Sequence, residues 1–304
     1  MDFHLESVSY QYAHGASNLP ALSDISLKLE TGECAALIGP SGAGKTTMAQ
    51  ILNGLLQPTS GSLKINGNSL QPKAAAQKLL RRQVGLVFQF PEHQIFESTV
   101  AEEVAYAAHQ WGIDESKIDL WVEYALQAVG LDPDRLLRRN PLKLSGGEAR
   151  LVSIASLLVV DPEWLILDEP TLGLDFAHSE NVVALIQGRK GRLRGTFLIT
   201  HDLNLALGAC PRTIVLKAGK IAFDGPTEDL FFKHDIAAEF DLIEPPLVRY
   251  WKLLQEAFSS SINRPPDYFR TGPDLCRWVE HQPHNLREQM SSILKQQLDH
   301  SISQ

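Results

Sequence analysis

The chain has 304 residues, 44% hydrophobic and 21% charged, with a formal net charge of −8 at pH 7. This balance is that of a globular protein with one large core, or a main domain and a smaller one, and excludes disordered and fibrous classes. The negative total also argues against bulk nucleic-acid binding, because its field repels phosphate.

In chain order, Ile25, Leu27 and Leu29 alternate within "ISLKLETGECAALIGP", which predicts a half-buried strand. After the Thr31-Gly32 turn, "CAALI" has the continuous apolar character of a strand buried on both faces. A helix is expected from near Gly44 to before Pro58, then a strand in "SGSLKINGN" and another in "VGLVFQ". Residues 98–160 read as mainly helical. Thr99 and Glu102 form a capping-box pattern, Ile118, Val122, Ala125 and Val129 precede Gly130, and Ser145 opens a further helix. The βα alternation then returns with "WLILD", a helix around 179–190, "TFLITH", a helix near 203–208 and "TIVLKAGKIAFDG". This order implies an α/β fold whose mostly parallel sheet carries a helical subdomain.

From about residue 240, "EPP", "NRPP" and "TGP" punctuate short amphipathic stretches, with Trp251, Phe258 and Trp278 as a small core of their own. "GRKGRLRG" at 188–195 and "RLLRR" at 135–139 read as solvated basic faces. Cys34, Cys210 and Cys276 lack metal-ligand spacing and fit a reducing compartment. The N-terminus has no basic start followed by an apolar run, and "LVSIASLLVV" is too short to span a bilayer.

Chemistry concentrates in a few motifs. "GPSGAGKTT" comprises Gly39, Pro40, Ser41, Gly42, Ala43, Gly44, Lys45, Thr46 and Thr47 and satisfies G-x-x-x-x-G-K-[ST] between a strand and a helix. Such a loop turns successive N–H groups onto phosphate oxygens at a helix N-terminus. Lys45 is placed to reach the β- and γ-phosphates and Thr46 to bind magnesium; the base is left open. "WLILDEPTLGLD" sets Asp168 and Glu169 at a strand's C-terminal end, where one carboxylate can hold a magnesium shell and the other activate water. His201 follows the next strand and reaches the same edge, as does Gln89, whose amide can bridge metal, water and the loop beyond. In "LSGGEARLVSIA", two glycines stand at the head of an apolar helix although each costs about 0.5–1 kcal/mol against alanine. A capping box between Ser145 and Glu148 accounts for the serine and the acid, but not for the glycine pair.

Together these motifs resemble the ATPase subunits of ABC transporters, over roughly residues 1–230. The resemblance implies a P-loop NTPase core with an N-terminal antiparallel β region, a helical signature subdomain and a small C-terminal extension. It places residues 1–240 in the ATPase domain, the helical subdomain at about 90–160, and 241–304 in the extension. Tyr12 matches the residue that stacks on adenine, 39–47 the phosphate loop, Gln89 the Q-loop, and 164–169 the acidic strand end with Glu169 as general base. Asp175 matches the D-loop and His201 the switch histidine, while Thr46, Gln89 and Asp168 match the magnesium set; ATP and Mg2+ are the implied cofactors. In this family Ser145, Gly146, Gly147 and Glu148 face the nucleotide of a second ATPase chain, identical or paralogous. The family usually carries glutamine at the position of Glu148 and often arginine at that of Leu151. Narrower similarity in "FPEHQIF" and the tail points to the energy-coupling-factor branch, importers of vitamins or transition-metal ions. That branch implies a transmembrane coupling subunit and a substrate-binding membrane protein as partners, and a peripheral place on the cytoplasmic face of the membrane. Other ABC importers or exporters, and soluble ABC ATPases, share the motor. Phe90, Ile95 and Phe96 are expected either to pack internally or to lie near the groove for the membrane subunit.

Overall fold

The computed structural model describes residues 1–13, 19–70, 74–258 and 272–302; "NRPP" lies outside them. The chain opens with β1 (Phe3–Tyr10), β2 (Leu22–Leu29), β3 (Cys34–Ile38), α1 (Lys45–Leu52), β4 (Ser60–Ile65), β5 (Asn68–Ser69), α2 (Ala74–Gln83) and β6 (Val84–Val87). A 3₁₀ turn at Pro91–Gln94 leads into α3 (Val100–Gln110), α4 (Glu115–Ala128), α5 (Pro133–Leu136) and α6 (Gly146–Leu158). Then follow β7 (Trp164–Asp168), α7 (Phe176–Lys190), β8 (Gly195–Ile199), α8 (Leu203–Ala209), β9 (Arg212–Lys217) and β10 (Lys220–Pro226). Helices α9 (Thr227–Lys233), α10 (Ile236–Phe240), α11 (Pro246–Ala257), α12 (Gly272–Glu280) and α13 (His284–Ile302) close the chain.

Two sheets result. β2-β1-β4-β5 is antiparallel, and β10-β9-β3-β8-β7-β6 is parallel except for β10, as the sequence leads one to expect. The reason β3 is apolar throughout is visible in its packing. Cys34, Ala36 and Ile38 face the helices, while Ala35 and Leu37 face the layer under the antiparallel sheet. On that sheet the alternating Ile25, Leu27 and Leu29 point inward and are all buried.

Strand order positions the functional edge. β8 lies between β3 and β7, and Ile199 at its end is registered against both Leu37 and Asp168. The loops that leave these three strands therefore emerge side by side.

Several local features depart from expectation. α7 starts at Phe176 rather than near 179, because Asp175 caps it by accepting from the His178 N–H at 2.9 Å. α2 has no counterpart in the sequence expectation, although "AAAQKLLRR" is rich in helix formers. Arg189, read as part of a solvated basic face, is buried and donates to the carbonyls of Pro162 (2.9 Å) and Gly195 (3.2 Å). Cys34 and Cys210, remote in sequence, bring their buried thiols to 3.3 Å. In the tail, Trp251 and Trp278 meet edge to face at 5.1 Å, and Trp251 also meets Phe232 of α9 at 6.4 Å. The apolar residues Leu247, Val248, Leu254, Leu275 and Met290 join the helix-side core rather than forming a detached one.

Candidate functional site

The loop from Gly39 to Gly44 leaves β3 and feeds α1. Gly44 has φ 105°, and a Cβ there would lie 2.3 Å from the Ala21 carbonyl oxygen, so only glycine lets the loop lie this close to the chain entering β2. Lys45 begins α1 and is largely buried. Its Nζ donates to the carbonyls of Gly39 (2.7 Å) and Pro40 (3.0 Å) and stands 3.5 Å from His201 Nε2. Burial pushes the Lys45 amine down, while the charges of Glu169 and Asp168 pull it back up. An ammonium held by loop carbonyls in this way is ready to exchange them for phosphate oxygens.

Thr46 Oγ1 donates to Asp168 Oδ2 at 2.9 Å, joining the head of α1 to the end of β7. Asp168 and Glu169 are both buried, and desolvation raises both carboxyls above their ordinary values. For Glu169 the neighbouring Asp168 charge acts in the same direction. Glu169 adopts φ 52°, a left-handed conformation that is uncommon for a residue with a side chain. Its amide donates to the Ile199 carbonyl at 2.9 Å, and its Oε2 accepts from Thr200 Oγ1 at 3.3 Å. Its Oε1 is buried without a hydrogen-bond partner among the described residues and faces His201 Nε2 at 3.6 Å. An orphaned carboxylate oxygen in a polar pocket is costly unless a ligand or water completes it. His201 has its pKa lowered by burial first and by the Lys45 charge second, which favours a neutral imidazole at neutral pH.

Hard oxygen donors at Thr46 and Asp168 fit magnesium. Among the described residues no group of three or more His, Cys, Asp or Glu side chains could hold a metal by itself. Phosphate and water would have to supply the remaining ligands, which is the usual way in which Mg2+ is bound.

The other predicted residues lie around this group. Tyr12 is half exposed, its hydroxyl is 3.1 Å from Thr47 Oγ1, and its ring meets Tyr10 edge to face at 4.9 Å. Ser41 and Gly42 are exposed at the loop's tip and Ala43 is buried beneath it. Gln89 is exposed two residues beyond β6 and stands outside the hydrogen-bonded group of Lys45, Thr46, Asp168, Glu169 and His201. The head of α6 carries a full capping box: Glu148 N–H donates to Ser145 Oγ (3.2 Å) and Ser145 N–H to Glu148 Oε2 (3.1 Å). Arg135 and Arg139 approach Glu148 at 3.8 and 3.7 Å, so the acid at this position is neutralised within the chain.

The two glycines differ. A Cβ on Gly147 would meet Leu174 Cδ2 at 3.3 Å and His178 Nδ1 at 3.8 Å, so it packs the α6 head against the segment containing Asp175. A Cβ on Gly146 would meet nothing within 4 Å. Among the described residues, no neighbour asks for glycine at 146.

The sequence reading did not single out Thr200, whose hydroxyl donates to Glu169, nor Arg150, which donates to the Glu169 carbonyl and pairs with Glu92 at 3.2 Å. Thr200 was legible only as part of an apolar strand.

The chain matches the family described as ABC transporter over residues 22–172. It is 37% identical over 258 residues to the energy-coupling factor transporter ATP-binding protein EcfA2 of Acetivibrio thermocellus, covering 84% of this chain and 91% of that protein. The protein of the same name from Bacillus subtilis is 38% identical over 249 residues, covering 81% of this chain and 90% of the relative. Among solved structures, cbiO1 of Clostridium perfringens, part of the ABC transporter complex cbiONQ, superposes with a TM-score of 0.68 at 26% identity over 95% of this chain and 98% of that one. An ATP-binding cassette solved as a dimer in a post-hydrolysis state with ADP and Pi has a TM-score of 0.68 at 27% identity, covering 74% and 98%.

Proposed function

Since this chain belongs to the ABC transporter ATPases, in the branch of the energy-coupling factor ATP-binding proteins, we propose that it energises a membrane importer by ATP-driven closure of an ATPase pair. The observation that carries this reading is the juxtaposition of Lys45, the Thr46–Asp168 bond, His201 and the orphaned Glu169 oxygen at one sheet edge.

Tyr12 stacks on adenine, and the amides of residues 39–47 with Lys45 hold the phosphates. Thr46, Asp168 and Gln89 would hold magnesium, which when bound neutralises charge on the β- and γ-phosphates. Glu169 takes a proton from the attacking water through Oε1, which has no hydrogen-bond partner among the described residues. Desolvation has already raised its basicity for that task. His201, neutral and 3.6 Å away, orients the water and the γ-phosphate. Gly146 and Gly147, with Ser145 and the neighbouring Asp175, complete the site of a second ATPase chain, identical or paralogous. There the bare Gly146 backbone lets a phosphate approach the free N–H groups at the start of α6.

Residues 1–240 supply the motor and 241–304 an appended extension. A transmembrane coupling subunit and a substrate-binding membrane protein are the further partners, and vitamins or transition-metal ions the cargo. No helix among the described residues is long and apolar enough to cross a membrane, so such partners would hold the chain at the cytoplasmic face. Copurification from solubilised membranes tests this: a small-substrate import scaffold supports the reading, and a lipid- or drug-exporting subunit, or ribosomes, refutes it. Glu169→Gln tests the chemistry. ATP affinity is retained and turnover falls about 10²–10⁴-fold; normal turnover removes Glu169 from its role.

A further inference from the structure

Arg150 lies on α6, four residues after Gly146, and is 3% exposed. Its guanidinium reaches in two directions. Toward the loop that follows Gln89 it meets the Glu92 carboxylate, with Nη2 at 3.2 and 3.3 Å and Nε at 3.4 Å, and its carbon lies 5.9 Å from the Phe90 ring centroid. Toward the catalytic edge its Nη1 donates to the Glu169 carbonyl at 3.3 Å and to the Leu172 carbonyl. One buried cation thus connects the α6 helix, the 3₁₀ turn holding Glu92, and the backbone between Glu169 and Leu172.

The Glu169 contact bears on chemistry because of the backbone there. Glu169 sits at φ 52°, and such conformations persist only where surrounding structure holds them. Its N–H is anchored by the Ile199 carbonyl, and its own carbonyl accepts from the Leu172 N–H at 3.3 Å and from Arg150, so Arg150 supplies the side-chain member of three hydrogen-bonded restraints on that residue's backbone. A planar guanidinium can make both sets of bonds together, whereas a lysine ammonium is a single point. At the next position Leu151 is fully buried and apolar, so the polar link from α6 to the catalytic edge falls to Arg150.

We propose that Arg150 is a positioning residue: held by Glu92, it fixes the Glu169 backbone and so ties the state of the Gln89 loop to the geometry of the general base. This rests on the assignment of Glu169 as the base. Movement of Glu92 with its loop would drag or release the guanidinium, and with it the carboxylate that must meet the attacking water. Misplacing a catalytic group by about 1 Å can cost on the order of 10²-fold in rate.

The test uses the full-length chain in the assembly that copurifies with it from membranes, measuring ATP turnover and ATP binding for Arg150→Met, Arg150→Lys, Glu92→Gln and the double variant Arg150→Met/Glu92→Gln, with Glu169→Gln alongside. Arg150→Met is expected to lower kcat about 10–10²-fold with ATP affinity within about twofold. Arg150→Lys recovers part of the loss. Glu92→Gln, at a partly exposed residue, leaves the fold intact and lowers kcat less, and the double variant is no slower than Arg150→Met alone, because the two act through one connection. Unchanged kcat in both single variants, additive losses in the double variant, or a loss carried by ATP affinity overturns the proposal. If Glu169→Gln itself keeps normal turnover, the assignment of the base has failed instead, whatever the Arg150 variants do.

Discussion

Gly146→Ala separates what the chain needs for itself from what it offers to a neighbour. A methyl group at this position meets no neighbouring atom of the described residues within 4 Å, so it creates no clash there. Replacing glycine by alanine at the start of α6 lowers backbone entropy in the unfolded state and gains up to about 1 kcal/mol. For a chain of this size that raises the melting temperature by about 1–3 °C. The same methyl occupies the space through which a phosphate would reach the N–H groups at the helix head. Losing one charge-assisted hydrogen bond of about 1.5–3 kcal/mol slows turnover by about 10–100-fold. Differential scanning calorimetry of the isolated chain, nucleotide titration of that chain, and steady-state ATPase of the assembly together decide the matter. The expected result is stability equal or higher, single-chain ATP affinity unchanged, and turnover reduced. A variant that melts lower shows that the glycine serves the fold; one that turns over normally shows that no ligand approaches it.

Lys45→Ala removes the ammonium now shared between the Gly39 and Pro40 carbonyls, and ATP binding measured by calorimetry weakens by about 1.5–3 kcal/mol. The acid limb of the kcat–pH profile lies above the ordinary glutamate value of about 4.3, because desolvation raises Glu169 and the base must be ionised. Thr200→Val removes a hydrogen bond to the ionised Oε2 and moves that limb further up. The same shifts have a stability sign: folded Asp168 and Glu169 hold protons more tightly than the unfolded chain. The ligand-free chain therefore loses their contribution as pH rises from the ordinary carboxylate range through the raised folded values, as urea titrations across that range would record. Gly195→Ala puts a Cβ 2.4 Å from the ring of the buried Trp164 and destabilises by about 1–3 kcal/mol in the same urea assay, without changing ATP affinity in what remains folded.

The parallel sheet was legible because β3, β7 and β8 are buried on both faces and are apolar apart from Thr196 and the strand-end Asp168. The motif residues were legible because phosphate-binding loops and strand-end acids keep fixed spacings. α2 was missed because its sequence has high helix propensity but only Leu80 is buried, leaving little apolar periodicity to read. Arg189 misled for the opposite reason: a run of basic residues gives no sign of which one turns inward to satisfy the carbonyls of Pro162 and Gly195. Arg150 joins groups separated by 58 and 19 residues in the chain, a relation that only the fold brings into being. The unequal standing of the two glycines was equally hidden, since it depends on where Leu174 lands.

On this reading a single chain holds an incomplete catalytic site. The most direct measurement is ATP turnover of the isolated chain at a concentration where sedimentation shows it to be monomeric, then again after adding the second ATPase chain. The expected result is a rate near background that rises to the assembly's rate on pairing. A monomer that hydrolyses ATP at the assembly's rate contradicts it.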